Sequence, residues 1–140
     1  MQTHRQTKWI WCLVIMGLMA WQAQTIVTAG VPSVAYDITK LKHKCTTRHD
    51  QTECKISAKL NATNNTGSEV PDIHVRFFLS TDSVYDVDVD TFVTDDNTGS
   101  IKAGKTRKVK LKESLQSSAS GLFLLAVDDS DNVLAFEPIP

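Results

Sequence analysis

Four aspartates fall within nine residues, at Asp82, Asp86, Asp88 and Asp90, with Asp95 and Asp96 close behind. A hard cation such as calcium collects about six to eight oxygen ligands from a flexible loop, and carboxylates at this density could supply them. The EF-hand spacing is not met. Counted from Asp86, the sharp-turn glycine position holds Thr91 and the twelfth holds Asn97 instead of a bidentate Glu. The segment therefore reads first as a solvated acidic loop that turns on its own side chains. Calcium at Asp86, Asp88 and Asp90 is the alternative. On a flat strand these three carboxylates would share one face and repel. Exposure to water and pairing with the lysines of the 102–112 segment are the expected relief.

That second segment holds six bases and no acid: Lys102, Lys105, Arg107, Lys108, Lys110 and Lys112. Such a strand could attract an anionic polysaccharide, a membrane surface or an acidic partner, although lysine is also the usual guard of a sheet edge. Cys45 and Cys54 are separated by eight residues and suit a disulfide across the two arms of one hairpin. Zinc at this pair would need His43 and His49 to complete a set of four ligands, and the spacing is not that of a zinc finger. Ser, His and Asp all occur, but no Gly-x-Ser-x-Gly elbow, His-Glu-x-x-His helix or phosphate-binding glycine loop joins them, and no enzyme is expected. Asn61-Ala-Thr63 and Asn64-Asn-Thr66 match the glycosylation acceptor pattern.

The elements that must position these residues read as strands. Of 140 residues, the first thirty read as a secretory signal peptide: a basic start with Arg5 and Lys8, an apolar run from Trp9 to Trp21, then small residues at Ala29 and Gly30. That run is shorter than the roughly 20 apolar residues a membrane span needs. Residues 31–140 then form one domain with no stable membrane span, secreted or held in the periplasm or at the cell surface. Fifteen Lys and Arg less the two in the leader leave thirteen against sixteen Asp and Glu, which does not suit a nucleic-acid partner.

Alternation with period two dominates after residue 33. Val34–His43 alternates and shifts phase near Leu41. Lys55–Ala62 turns Ile56, Ala58, Leu60 and Ala62 inward. Ile73–Leu79 turns Ile73, Val75, Phe77 and Leu79 inward, with His74, Arg76 and Phe78 on the other face. Thr91–Val93 is a short apolar piece, Asp95–Gly99 a turn and Ser114–Ser120 a loop. Thr106–Lys112, Gly121–Val127 and Val133–Phe136 complete about seven strands. The pattern predicts an all-β, antiparallel two-sheet sandwich, preceded by the signal peptide helix.

Several pieces, in order, carry a resemblance: Asn65-Thr-Gly67, Val75-Arg-Phe-Phe-Leu-Ser-Thr-Asp82, Tyr85-Asp86 with Asp90, Ile101-Lys-Ala-Gly104, and Gly121-Leu-Phe-Leu-Leu-Ala-Val-Asp128. This run resembles the bacterial CARDB family of cell-adhesion-related domains over about residues 35 to 136, which implies a sandwich of the immunoglobulin or fibronectin type III kind. The Cys45–Cys54 pair and the ending Phe136-Glu-Pro-Ile-Pro140 depart from that pattern. The resemblance implies an extracellular module. The expected role is recognition of a protein or glycan without chemistry, with exposed loops such as Ser80 to Asp96 carrying the contact because binding residues sit on loops of a rigid sandwich. The alternative is an assembly subunit that self-associates through strand edges.

Overall fold

The computed structural model describes residues 33–140; the expected signal peptide and its helix lie outside them. The seven strands are β1 (Val34–Arg48), β2 (Gln51–Asn64), β3 (His74–Ser80), β4 (Thr91–Asn97), β5 (Thr106–Leu115), β6 (Phe123–Val127) and β7 (Val133–Pro138). They form two antiparallel sheets, ordered β1-β2-β5 and β4-β3-β6-β7. This is the antiparallel two-sheet sandwich that the alternation predicts, with seven strands in an immunoglobulin/fibronectin type III-like arrangement. Its core lies where the inner faces meet, with Ile38, Ile56, Ala58, Leu60, Val109 and Leu111 from one sheet against Val75, Phe77, Leu124 and Ala126 from the other. Each strand contributes every second residue, so the inward sets of β2 and β3 follow directly from sequence.

The β1–β2 hairpin closes through His49 and Asp50, which have φ of 49° and 63°. Positive φ at both residues of a two-residue loop matches the right-handed twist of the arms. The arms are longer than the alternation alone suggests, because Lys44–Arg48 and Gln51–Glu53 pair without a buried partner to mark them. Cys45 and Cys54 are directly opposed in this hairpin and are joined by a disulfide, with their Cα atoms 4.0 Å apart.

The phase shift near Leu41 is a β-bulge. Register passes from Thr39↔Lys59 to Lys42↔Ser57, with Lys40 at φ 54°. The extra residue sends Leu41 toward the core and turns Lys42 and Lys44 outward, where an unbroken strand would have pointed them inward.

Two boundaries differ from expectation. β4 runs through Asp95, Asp96 and Asn97, which read as turn residues, because Arg76 and His74 of β3 lie opposite them. The turn falls later, at Gly99 with φ 67°. β5 extends to Leu115, into the expected loop, because Leu115 is opposite Cys54 and packs against the core.

Candidate functional site

The acidic loop between β3 and β4 is built on its own carboxylates. Asp82 Oδ1 accepts the Val84 N–H at 2.8 Å, Asp86 Oδ1 accepts Asp88 N–H at 3.0 Å, and Asp90 Oδ2 accepts Asp86 N–H at 2.9 Å. The Val89 and Asp90 amides both bond back to the Asp86 carbonyl, so Asp86–Asp90 is a turn and not the flat strand on which the charges would align. Asp86, Asp88 and Asp90 do not converge as a ligand set. Among the described residues, the one group of three metal-ligating side chains lying within 4.8 Å of one another is His43, Cys45 and Cys54. Both sulfurs there belong to the disulfide, and His43 Nε2 accepts the Ala119 N–H at 3.2 Å. His49 is instead part of the hairpin turn.

The expected pairing of this loop with the basic segment is not formed. Among the described residues the loop aspartates make no ion pair with a lysine, and the lysines of the basic segment lie on the other sheet or in the turn leading into β5. Asn64 of the acceptor pattern is fully buried. Its Nδ2 donates to the carbonyls of Ser68 and Ile101, and its Oδ1 accepts from Thr66. A glycan on that nitrogen is incompatible with the fold. The turn from Asn64 to Ser68 is held by this amide.

What the structure brings together is the outer face of the four-stranded sheet. Register places Phe92 of β4, Phe78 of β3, Leu125 of β6 and Phe136 of β7 in one row across all four strands. Tyr85, on the acidic loop, folds over Phe78 with ring centroids 4.6 Å apart, and Phe92 meets Phe78 edge-on at 5.6 Å. Phe123 and Phe136 meet at 6.2 Å. The centre of the row is buried, with Phe78 and Leu125 forming a second small core with Val127. Its two ends are open, Phe92 at 53% and Phe136 at 51% exposure, and Val84, Val87 and Val89 project from the loop above 60%.

No family model, curated protein or solved structure matches this chain.

One long side of the aromatic row is rimmed by ion pairs. His74 donates from Nδ1 to Asp129 Oδ1 at 2.6 Å and from Nε2 to Asp95 Oδ2 at 2.7 Å. With both ring nitrogens donating, the imidazole is the charged form, and its pKa is raised, first by the Asp129 hydrogen bond and then by that of Asp95. Arg76 bonds Asp131 Oδ1 at 2.7 Å and the Asp128 carbonyl, and its guanidinium lies 5.7 Å from the Phe78 ring centre and 5.9 Å from that of Tyr85. Burial acts to raise the Asp128 carboxyl, but the side chain and amide of Asn132, the Ser130 amide and Arg76 hold it below its ordinary value. The β6–β7 turn is therefore tied to β3, and β3 to β4.

Asp95 and the outward placement of His74, Arg76 and Phe78 were legible in the sequence. Their partners were not, because Asp128–Asp131 reads as a self-bonded turn and lies more than fifty residues away.

Proposed function

We propose that the protein is an extracytoplasmic recognition module of CARDB-like type, non-catalytic, which meets a partner protein through the outer face of its four-stranded sheet and the adjoining loop. The observation that carries this reading is the aromatic row. An antiparallel sheet in a sandwich normally turns a polar face to water, whereas this one presents Phe92 and Phe136 half exposed on either side of a packed aromatic centre. Aromatics within a rim of charge, with Arg among them, have the anatomy of a protein interface. The loop valines extend the apolar surface, and the backbone-capping aspartates hold them in place. The disulfide is at home in an oxidising compartment, and no helix of the described residues is long and apolar enough to cross a membrane.

A photo-crosslinking side chain placed at position 136, in the protein's own extracytoplasmic surroundings, tests it. The expected result is one specific adduct, lost in Phe92→Ser and absent when the crosslinker sits at position 108. No adduct at 136, or equal adducts at both positions, overturns it. Self-association through strand edges is the rival reading. Size measured over a range of concentrations separates it, since an edge-built assembly would grow with concentration irrespective of Phe92.

A further inference from the structure

The lysines are not distributed over the molecule. Every lysine from Lys40 onward lies on the β1-β2-β5 sheet or in the turn leading into β5, and the four-stranded sheet carries none. On the three-stranded sheet, seven of them share the outer face. β1 gives Lys42 and Lys44, β2 gives Lys55 and Lys59, and β5 gives Lys108, Lys110 and Lys112. Register sets Lys59 directly opposite Lys110, and Lys44 directly opposite Lys55. Like charges directly opposed across strands destabilise a sheet. Among the described residues, only Lys55 of these has a carboxylate partner, Glu53 at 3.0 Å. Guarding the edges does not require this, because β2 is the central strand and needs no guard.

The face is also shaped. A shallow depression of about 580 Å³ is bordered by Lys40, Lys59 and Lys108 over Thr39, Asn61 and Thr106, with Asp37 as the one carboxylate among three lysines. A second, of about 280 Å³, lies between Lys40, Lys42, Lys59, Lys110 and Lys112. They share Lys40 and Lys59, so they form one trough. From Thr63 to Ser57 along β2 it runs about 20 Å, at about 3.4 Å per residue. Its floor is preset: Asn61 Nδ2 donates to Thr39 Oγ1 at 3.3 Å, and Thr63 and Thr106 share a hydroxyl hydrogen bond of 2.8 Å.

We propose that this trough binds a linear anionic polysaccharide, with lysines on its sulfate or carboxylate groups and the Thr and Asn floor on its hydroxyls. The charge is complementary, and the floor offers donors and acceptors of the type sugar hydroxyls use. Single-stranded nucleic acid would want successive aromatic platforms, and Tyr36 is the one aromatic lining the trough. A membrane surface would want apolar groups beside the lysines, and the large exposed ones, Val84, Val87, Val89, Phe92 and Phe136, belong to the other sheet and its loop.

The test measures binding of the protein to dextran sulfate, to polygalacturonate and to neutral dextran, with anionic phospholipid vesicles and single-stranded DNA alongside. Binding to one or both charged polysaccharides and not to neutral dextran is expected, weakening as salt rises. Lys59→Ser with Lys110→Ser weakens it about thirtyfold, on the scale of two lysines leaving an anionic surface. Lys102→Ser with Lys105→Ser removes equal charge from the turn and leaves it within about threefold, against about fivefold for each lysine lost from such a surface. Phe92→Ser leaves it unchanged, which separates this trough from the aromatic face. The proposal is overturned by no binding to either charged polysaccharide, by equal losses in the two lysine pairs, or by tighter binding to vesicles or DNA.

Discussion

The two outer faces of this sandwich are built from the same kind of strand and are opposite in character. On the β4-β3-β6-β7 sheet the outward residues pack against one another, and nearly every charge has a partner: His74 with Asp95 and Asp129, Arg76 with Asp131. On the β1-β2-β5 sheet the outward residues include seven lysines, among them the directly opposed pairs Lys44–Lys55 and Lys59–Lys110, beside a floor of hydroxyls. The first face contributes to stability and leaves an apolar margin. The second works against stability and leaves a field. A face that stabilises itself suits a rigid contact with another protein, and one that repels itself suits a ligand that supplies the missing charge.

The largest effect that tests this contrast is expected at Phe78. Phe78→Ala removes a 6%-exposed ring from the packed outer face and should cost about 3–5 kcal/mol. Lys59→Ala on the opposite face should stay within about 0.5 kcal/mol. Urea unfolding of both variants checks this, and comparable losses would erase the distinction between the faces.

Next comes the disulfide. Cys45→Ser with Cys54→Ser opens a loop of this size at a cost of about 2–3 kcal/mol. The amides of β1 and β2 near the hairpin turn should then exchange hydrogen faster, while those of β3 and β6 keep their relative protection. Uniform loss of protection would mean that the two sheets do not respond separately.

A smaller effect of opposite sign is expected at Lys110. Lys110→Glu replaces a like pair with an opposite pair across from Lys59 and should stabilise by about 0.2–1 kcal/mol, while weakening polysaccharide binding about thirtyfold, as a change of two charges does. A melting temperature that falls would show that the lysine face does not oppose folding.

The smallest effect is a pH response confined to the aromatic face. The His74 pKa is raised in the folded protein from an ordinary 6.5. Its contribution is therefore fully present below pH 6.5 and is lost as pH rises through the folded value. Asp129→Asn should bring the His74 titration, followed by NMR, back toward 6.5 without shifting amide signals of the lysine face. A titration left unchanged would show that the Asp129 contact does not hold the proton.

Much of the fold was written locally. The inward sets Ile56-Ala58-Leu60 and Val75-Phe77 are a period-two pattern that any half-buried strand must show, and the phase slip near Leu41 announced the bulge. The hairpin disulfide followed from eight intervening residues. The site was legible only in pieces. Asp82, Asp86, Asp88 and Asp90 drew attention by density, yet the carboxylates of Asp82, Asp86 and Asp90 bond amides of their own loop, because a short side chain reaches a nearby amide before it reaches a distant partner. Lys108, Lys110 and Lys112 were visible as one strand's outward set.

The sequence by itself determined that these residues alternate, which of them must be inside, and that the chain closes a hairpin between Cys45 and Cys54. Only the tertiary structure decided what stands beside what. Alternation tells which face of a strand a residue takes, but the strand's neighbours and its register are set by the whole sandwich burying its core. That register aligned Phe92, Phe78, Leu125 and Phe136 into one row and brought Lys42 from β1, Lys59 from β2 and Lys110 from β5 onto one surface. The His74–Asp129 pair, fifty-five residues apart, was likewise decided by the fold, because its two members meet only when β3 and β6 lie side by side.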